Sequence, residues 1–225
     1  VVMQAPKNGF FYVLDAETGD LIYADPYAEV TWATGVDLES GRPIETPQAR
    51  YDNSITFLTP GPSGAHNWHP MSFSPETGLL YVPTMQGGAF PFSVDENYQY
   101  EPAGWNIGIG LGTMTDRSVR PDDQYAGGTG PVYDSPGVLV AWDPVARAPR
   151  WTREYDFTLN GGTLATAGNL VFQGAADGFM RAYTADFGEL VWQVDLGVGI
   201  MAAPMTYELD GVQYISVLVG WGGSA

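Results

Sequence analysis

Few side chains in this chain can act as cations, bases or soft ligands: its 225 residues include 9 Lys and Arg, 2 His and no Cys. Lys7 stands in a Pro-Lys-Asn-Gly turn. There it is either an exposed turn lysine or a compact ammonium delivered to an anion or carbonyl. Both histidines fall in His66-Asn67-Trp68-His69. Two imidazoles three apart in a loop, with no third His and no Cys, make a poor metal site. Hydrogen bonding of His66 and His69 to loop backbone is expected instead, with Asn67 offering an amide and Trp68 an aromatic wall. Asn160 and the Gly220-Trp221 pair each precede a small-residue turn. The Gly-Gly pairs at 161 and 222 would let backbone approach a planar or anionic group, a weak signal by itself. For Trp221, core packing and ligand contact stay equally open. No Gly-x-Ser-x-Gly motif occurs, and no Ser is spaced with a His and an acid as a nucleophilic triad requires.

The elements that must position these groups are short strands. Four strand-length apolar runs, Thr163–Ala167, Asn169–Gln173, Phe179–Tyr183 and Glu189–Val194, are joined by connections fit only for antiparallel turns. They make one four-stranded meander, which cannot bury both faces alone and needs a neighbour on each side. The unit repeats. Gly178, Ala182 and Trp192 follow Gly137, Ala141 and Trp151 by 41 residues, and Gly9, Val13, Asp15 and Tyr23 precede Gly137, Ala141, Asp143 and Trp151 by 128. Four strands recurring near that period are the signature of β-propeller blades, with Trp151 and Trp192 expected to dock between blades.

The expected fold is therefore all-β, about four blades of a propeller, two of them complete. Blade portions fall at about 1–27, 65–157, 158–197 and 198–225. Residues 27–64 form a long excursion, and 85–136 an insertion within the second blade. In an up-down blade the connections entering the innermost strand and those joining the second and third strands share one end. Lys7, His66–Trp68, Asn160 and Gly220–Trp221 lie in these connections, so they are expected at one axial mouth.

Composition narrows the partners. Against 26 Asp and Glu the net charge is −17, which argues against nucleic acid and against an anionic membrane surface, since both need clustered Lys and Arg. The acidic excess reads as a solvated outer surface. No apolar run reaches the length of a membrane span and no signal-peptide pattern opens the chain. Both ends read as strand, so the chain is expected to be a piece of a longer domain.

The segments APKNGFFYVLD, PGPSGAHNWHPMSFSPETGLLYVP, LVAWDP, NGGTLATAGNLVFQGAADG and VGWGG resemble the C-terminal half of the pyrroloquinoline quinone (PQQ)-dependent alcohol dehydrogenases. The likeness covers nearly the whole chain except 85–136. It implies an eight-bladed propeller of the periplasm, PQQ on the propeller axis, a calcium ion, and oxidation of a primary or secondary alcohol to an aldehyde or ketone. It further implies a separate electron acceptor such as a cytochrome c or a quinone. Lysine at position 7 resembles the broad-range and quinohaemoprotein types; the methanol dehydrogenases carry arginine there. By position, Lys7 would donate to the quinone oxygens and stabilise the charge they gain. Asn67 would bond the cofactor edge and Trp68 would line the substrate cavity. Asn160, Gly220 and Trp221 would complete the cofactor rim. Leu159 departs from the tryptophan that many relatives place before Asn-Gly-Gly. The resemblance places the calcium ligands (a Glu, an Asn and an Asp), the general-base Asp and a vicinal disulfide upstream of the position matching Val1. A reading from another class is a non-catalytic periplasmic propeller scaffold that binds protein partners; such a scaffold has no need of a lysine and an amide at one mouth.

Overall fold

The computed structural model describes residues 1–52, 55–87, 89–104, 106–110 and 136–221. Most of the insertion and the 222 Gly-Gly pair lie outside the described residues. The first blade is a three-stranded sheet of β1 (Val2–Gln4), β2 (Phe10–Leu14) and β3 (Leu21–Pro26). An excursion follows, with β4 (Ala33–Val36) and β5 (Pro43–Glu45) paired as a hairpin, one 3-10 turn at Pro47–Ala49, and β6 (Thr56–Leu58). The second blade contains β7 (Ser72–Ser74) and β8 (Leu79–Met85). After it β9 (Phe90–Phe92) pairs back to β6, then β10 (Gly137–Asp143) and β11 (Ala148–Tyr155) complete the blade in the order β11-β10-β8-β7. The third blade is the meander β12 (Asn160–Thr166), β13 (Leu170–Ala175), β14 (Phe179–Thr184) and β15 (Leu190–Asp195). A hairpin of β16 (Met205–Leu209) and β17 (Val212–Ser216) follows.

The repeat read from the sequence is repeated in three dimensions. A register shift breaks the pairing of the last two strands after Val13, after Ala141 and after Ala182, and these three residues face Tyr23, Trp151 and Trp192 across the ladder. Each small residue thus leaves room for one large aromatic, and the bulge turns it toward the next blade. Trp151 donates Nε1–H to Ala185 O at 3.0 Å, a carbonyl that also accepts from Tyr81. Tyr23 donates to Pro144 O at 2.8 Å, and Pro144 stands 41 residues before Ala185. The same seam is made twice, once with a phenol and once with an indole.

Close approach permits the second copy. A Cβ on Gly188 would sit 2.5 Å from the Trp151 ring, and the backbone there is left-handed at φ +66°. Only glycine fits both demands. In the first copy Arg147 holds the corresponding place, its guanidinium 4.7 Å from the Tyr23 ring centroid and paired with Asp25.

Trp192 keeps the register of Trp151 and faces the next hairpin, lining an apolar cavity of about 350 Å³ with Phe172, Met180, Ile215 and Val217; it is 48% exposed, and the position 41 residues after Ala185 falls outside this sequence. One expectation needs correction. The excursion and the insertion, read as loops, pair with one another through β6 and β9. Pairing between two irregular segments more than thirty residues apart leaves no local pattern to read.

Replacing Trp151 by Ala should lower the unfolding free energy by about 3–5 kcal/mol, the usual cost of emptying a large buried aromatic site. Trp192→Ala, at a half-exposed site, should cost about 1 kcal/mol or less. Urea midpoints of the two variants check the order.

Candidate functional site

The turn bearing Lys7 is held by its main chain. Each of its five carbonyls, from residue 5 to residue 9, accepts a hydrogen bond from elsewhere. Ala5 O meets His66 Nδ1 at 2.5 Å, Pro6 O accepts from the Tyr27 hydroxyl at 2.7 Å, and Lys7 O accepts from Ala65 N at 3.0 Å. Asn8 O accepts from Trp32 Nε1 at 3.1 Å and Gly9 O from Tyr27 N at 3.0 Å. Burial drives the Tyr27 hydroxyl far above the usual phenol range, so it remains a donor. A turn satisfied this completely has no loose carbonyl through which to relax. Nothing in the sequence announces these partners, because they come from three separate segments.

Lys7 itself is exposed, and its Nζ donates to Pro62 O at 3.2 Å. The loop that supplies this carbonyl supplies the next one to Asn67, whose Nδ2 donates to Ser63 O at 3.0 Å. The structure therefore brings Lys7 and Asn67 to consecutive carbonyls. Gly64 allows the approach: a Cβ there would lie 2.7 Å from Lys7 Cα, and its φ is +80°. Trp68 is 54% exposed and stacks on the buried His69 ring with centroids 4.1 Å apart. His66 is buried and bonds loop backbone through both ring nitrogens, as expected of it. His69 does not follow that expectation, since its Nε2 is buried with no hydrogen-bond partner. Burial, and second the charge of neighbouring His66, hold the His69 pKa down at about 4, so the ring stays neutral.

The remaining predicted residues lie along the same end of the blades, linked by a repeated contact. Ala65 N, entering the second blade, donates to Lys7 O of the first. Asn160 Nδ2, opening the third, donates to Thr84 O of the second at 3.1 Å, and Ile200 N, entering the last hairpin, donates to Ala175 O of the third at 3.0 Å. Gly220 N then donates to Gly199 O at 2.7 Å, and Trp221 packs against Gly199. Asn160 is buried, and its amide N–H serves this seam. Gly161 lies under the Ile200 and Gly174 carbonyls, where a Cβ would come within 2.6 Å of the first.

At this end residues 5–9, 61–70, 158–163, 198–204 and 217–221 contain one lysine, both histidines and no Asp or Glu. The connection after Ala175 carries Asp177, ion-paired with Arg181, and Glu29 lies between Tyr27 and Trp32, which bond the Lys7 turn. The charge pattern suits an anion. Donors, exposed indole and glycine-lined backbone suit a planar one with polar edges. Among the described residues no cluster of three His, Asp or Glu could hold a metal.

Fold and mouth together define a β-propeller with an anion-tolerant face at one end of its blades. The chain belongs to the PQQ family described as the glucose/ethanol/alcohol dehydrogenase β-propeller domain, which matches residues 37–215. It is 48% identical over its whole length to the quinohemoprotein alcohol dehydrogenase ADH IIB of Pseudomonas putida, and covers 31% of that protein. It is 43% identical over 99% of its length to the 1-butanol dehydrogenase (cytochrome c) of Thauera butanivorans, again covering 31%. The crystal structure of the quinohemoprotein alcohol dehydrogenase of Comamonas testosteroni superposes with a TM-score of 0.83 at 42% identity, over 97% of this chain and 32% of that one. A europium-containing methanol dehydrogenase superposes at 0.79 and 31% identity, over 96% of this chain and 35% of the other. The chain spans about a third of the length of these relatives.

The His69 pKa has a consequence for stability. The unfolded chain takes up a proton near the ordinary value of 6.5, whereas folded His69 resists until about 4. Its contribution is complete above the first value and declines as pH falls through that window. His69→Gln should flatten the fall of unfolding free energy on acidification from pH 6.5 to pH 4, as read by chemical denaturation at a series of pH values.

Proposed function

We propose that this chain supplies the quinone-polarising lysine and part of the cofactor and substrate wall of a PQQ-dependent alcohol dehydrogenase, acting on primary or secondary alcohols to give aldehydes or ketones. The observation that carries the reading is the fixed Lys7 turn beside Asn67 and Trp68, on segments 5–9 and 61–70 that carry no carboxylate. PQQ, a planar ortho-quinone bearing carboxylates, fits that donor set. When bound it supplies the two-electron acceptor, and the protein supplies placement and electrostatics.

The chain's own residues divide the work. Lys7 presents a charge that need not reorganise as negative charge develops at a carbonyl oxygen, the arrangement in which electrostatic stabilisation is largest. Among the described residues its ammonium donates to Pro62 O, an exposed contact of 3.2 Å, so it can turn to a ligand without leaving a buried group unpaired. Asn67 offers its amide at the edge of the same space. Trp68, backed by the neutral His69 ring, forms a hydrophobic wall that excludes water from an alcohol. Gly220 and Trp221 extend the rim, and Asn160 holds the seam beneath it.

We further propose that calcium and the proton-abstracting base of the holoenzyme are supplied by residues outside this chain, that the acceptor is a cytochrome c or a quinone, and that the protein works in the periplasm. The names of two relatives, a 1-butanol dehydrogenase (cytochrome c) and an alcohol dehydrogenase (quinone), support the second, and the first rests on the resemblance. The third rests on the resemblance alone and is read by cell fractionation.

In the full-length protein loaded with PQQ and calcium, Lys7→Ala should lower kcat/KM for alcohol-dependent dye reduction by about 10²–10³-fold, the loss typical of removing one donor to a developing charge. Its circular dichroism and melting should stay near the parent. Unchanged turnover in that variant would exclude the assignment.

A further inference from the structure

We infer that Thr31 is a positioning residue: it ties the strap of residues 27–32 to the loop of residues 59–64 and so sets how the Lys7 turn stands to Asn67 and Trp68. The functional part of this inference rests on the reading above. The strap, Tyr27-Ala28-Glu29-Val30-Thr31-Trp32, bonds two segments. Tyr27 reaches Pro6 O through its hydroxyl and Gly9 O through its amide, and Trp32 Nε1 reaches Asn8 O, so both ends of the strap hold the Lys7 turn. Thr31 bonds the loop instead. Its N–H donates to Thr59 O at 2.9 Å, and its hydroxyl oxygen accepts from Thr59 N at 3.0 Å.

That loop carries the resting partners of both donors of the site. Lys7 Nζ donates to Pro62 O and Asn67 Nδ2 to Ser63 O. Gly64 N closes the turn on Gly61 O at 2.9 Å, so the two carbonyls move as one piece. Ala65 N on Lys7 O and the His66 ring on Ala5 O fix the far end of this piece. A segment pinned at one end can pivot. Thr59, six residues before Ala65, is the second point that removes the pivot.

Packing closes the same junction. A Cβ on Gly9 would come 2.5 Å from Val30 Cγ2 and 3.6 Å from Pro60 Cδ, so turn, strap and loop meet at one residue. Gly61 in turn meets β9, where a Cβ would lie 3.1 Å from Phe90 Cβ. The strap is itself anchored, since Thr31 O accepts from the Thr46 hydroxyl at 2.7 Å, just after β5. Thr59 is buried, so bulk water does not replace the Thr31 oxygen at its N–H. A serine at position 31 would supply the same oxygen, a valine only the same shape.

The test compares Thr31→Val with Thr31→Ser. In the full-length protein without cofactor, amide hydrogen exchange at Thr59 and Ala65 should quicken by about tenfold or more in Thr31→Val and stay near the parent in Thr31→Ser. Parent-like exchange at Ala65 in Thr31→Val would overturn the coupling, whatever the activity. Loaded with PQQ and calcium, Thr31→Val should lose about tenfold in kcat with KM for the alcohol little changed, and Thr31→Ser should recover most of that loss. Equal losses in the two variants, or none in either, would overturn the positioning role. Should Thr31→Val fail to fold, the parent protein decides: the Thr31, Thr59 and Ala65 amides should open as one unit with a shared protection factor, and separate factors would overturn the inference. Lys7→Ala tests the functional reading separately, because the exchange result does not depend on turnover.

Discussion

The register between successive blades depends on one kind of contact: an aromatic N–H or O–H from the outermost strand of one blade donating to a turn carbonyl of the next. Trp151 to Ala185 O and Tyr23 to Pro144 O are two copies of it, 41 residues apart at the acceptor. A sheet of four short strands has two apolar faces and cannot stand by itself. Face-to-face burial is non-directional and would tolerate sliding. The directed hydrogen bond, with a Gly188 that leaves room for the ring, removes that freedom. Once the outer ends are fixed, the opposite ends of the blades must meet, and there Ala65 N, Asn160 Nδ2 and Ile200 N each reach a carbonyl of the preceding blade. The candidate site is built on that second row.

The division of labour follows from what each position shares with its copies. Ala176 occupies in the third blade the place that Lys7 takes in the first, so the fold does not require a lysine there. The third blade's connection after Ala175 is closed by Gly178 N and Ile200 N at the Ala175 carbonyl and by Leu196 N at Gly178 O. The first blade's turn is instead held at five consecutive carbonyls, far more than keeping a turn closed requires. Surplus constraint at a position that structure does not demand is the physical mark of a group placed for something outside the fold.

How far the sequence reached, and where it stopped, has the same logic. Blades, strand order and the docking of Trp151 were legible because a 41-residue period repeats small residues opposite large aromatics, and local spacing is enough to see it. Lys7, Asn67 and Trp68 were legible as a group because the up-down topology sends their connections to one end. The pairing of β6 with β9 was not, since neither segment has period-two alternation long enough to declare a strand. Asn160, read as part of the cofactor rim, is buried and gives one amide N–H to Thr84 O, a seam contact that spacing alone does not announce.

The same limit accounts for Lys7 at its two ends. Its turn accepts a hydrogen bond at each of five consecutive carbonyls, while its ammonium is exposed and donates to Pro62 O at 3.2 Å. These properties work together. A lysine loses considerable rotamer entropy when its tip is fixed, and a tip already bound tightly in the apo state would have to surrender that partner before meeting a developing charge. Fixing the Cα instead confines the ammonium to one small region while leaving its last bond to the ligand. Within that region Gly64 permits the approach of Lys7, and the two segments that form its turn and the facing loop, residues 5–9 and 61–70, carry no carboxylate. In a chain of net charge −17, one anchored cation on such segments places positive potential at the end of the blades where the seams converge.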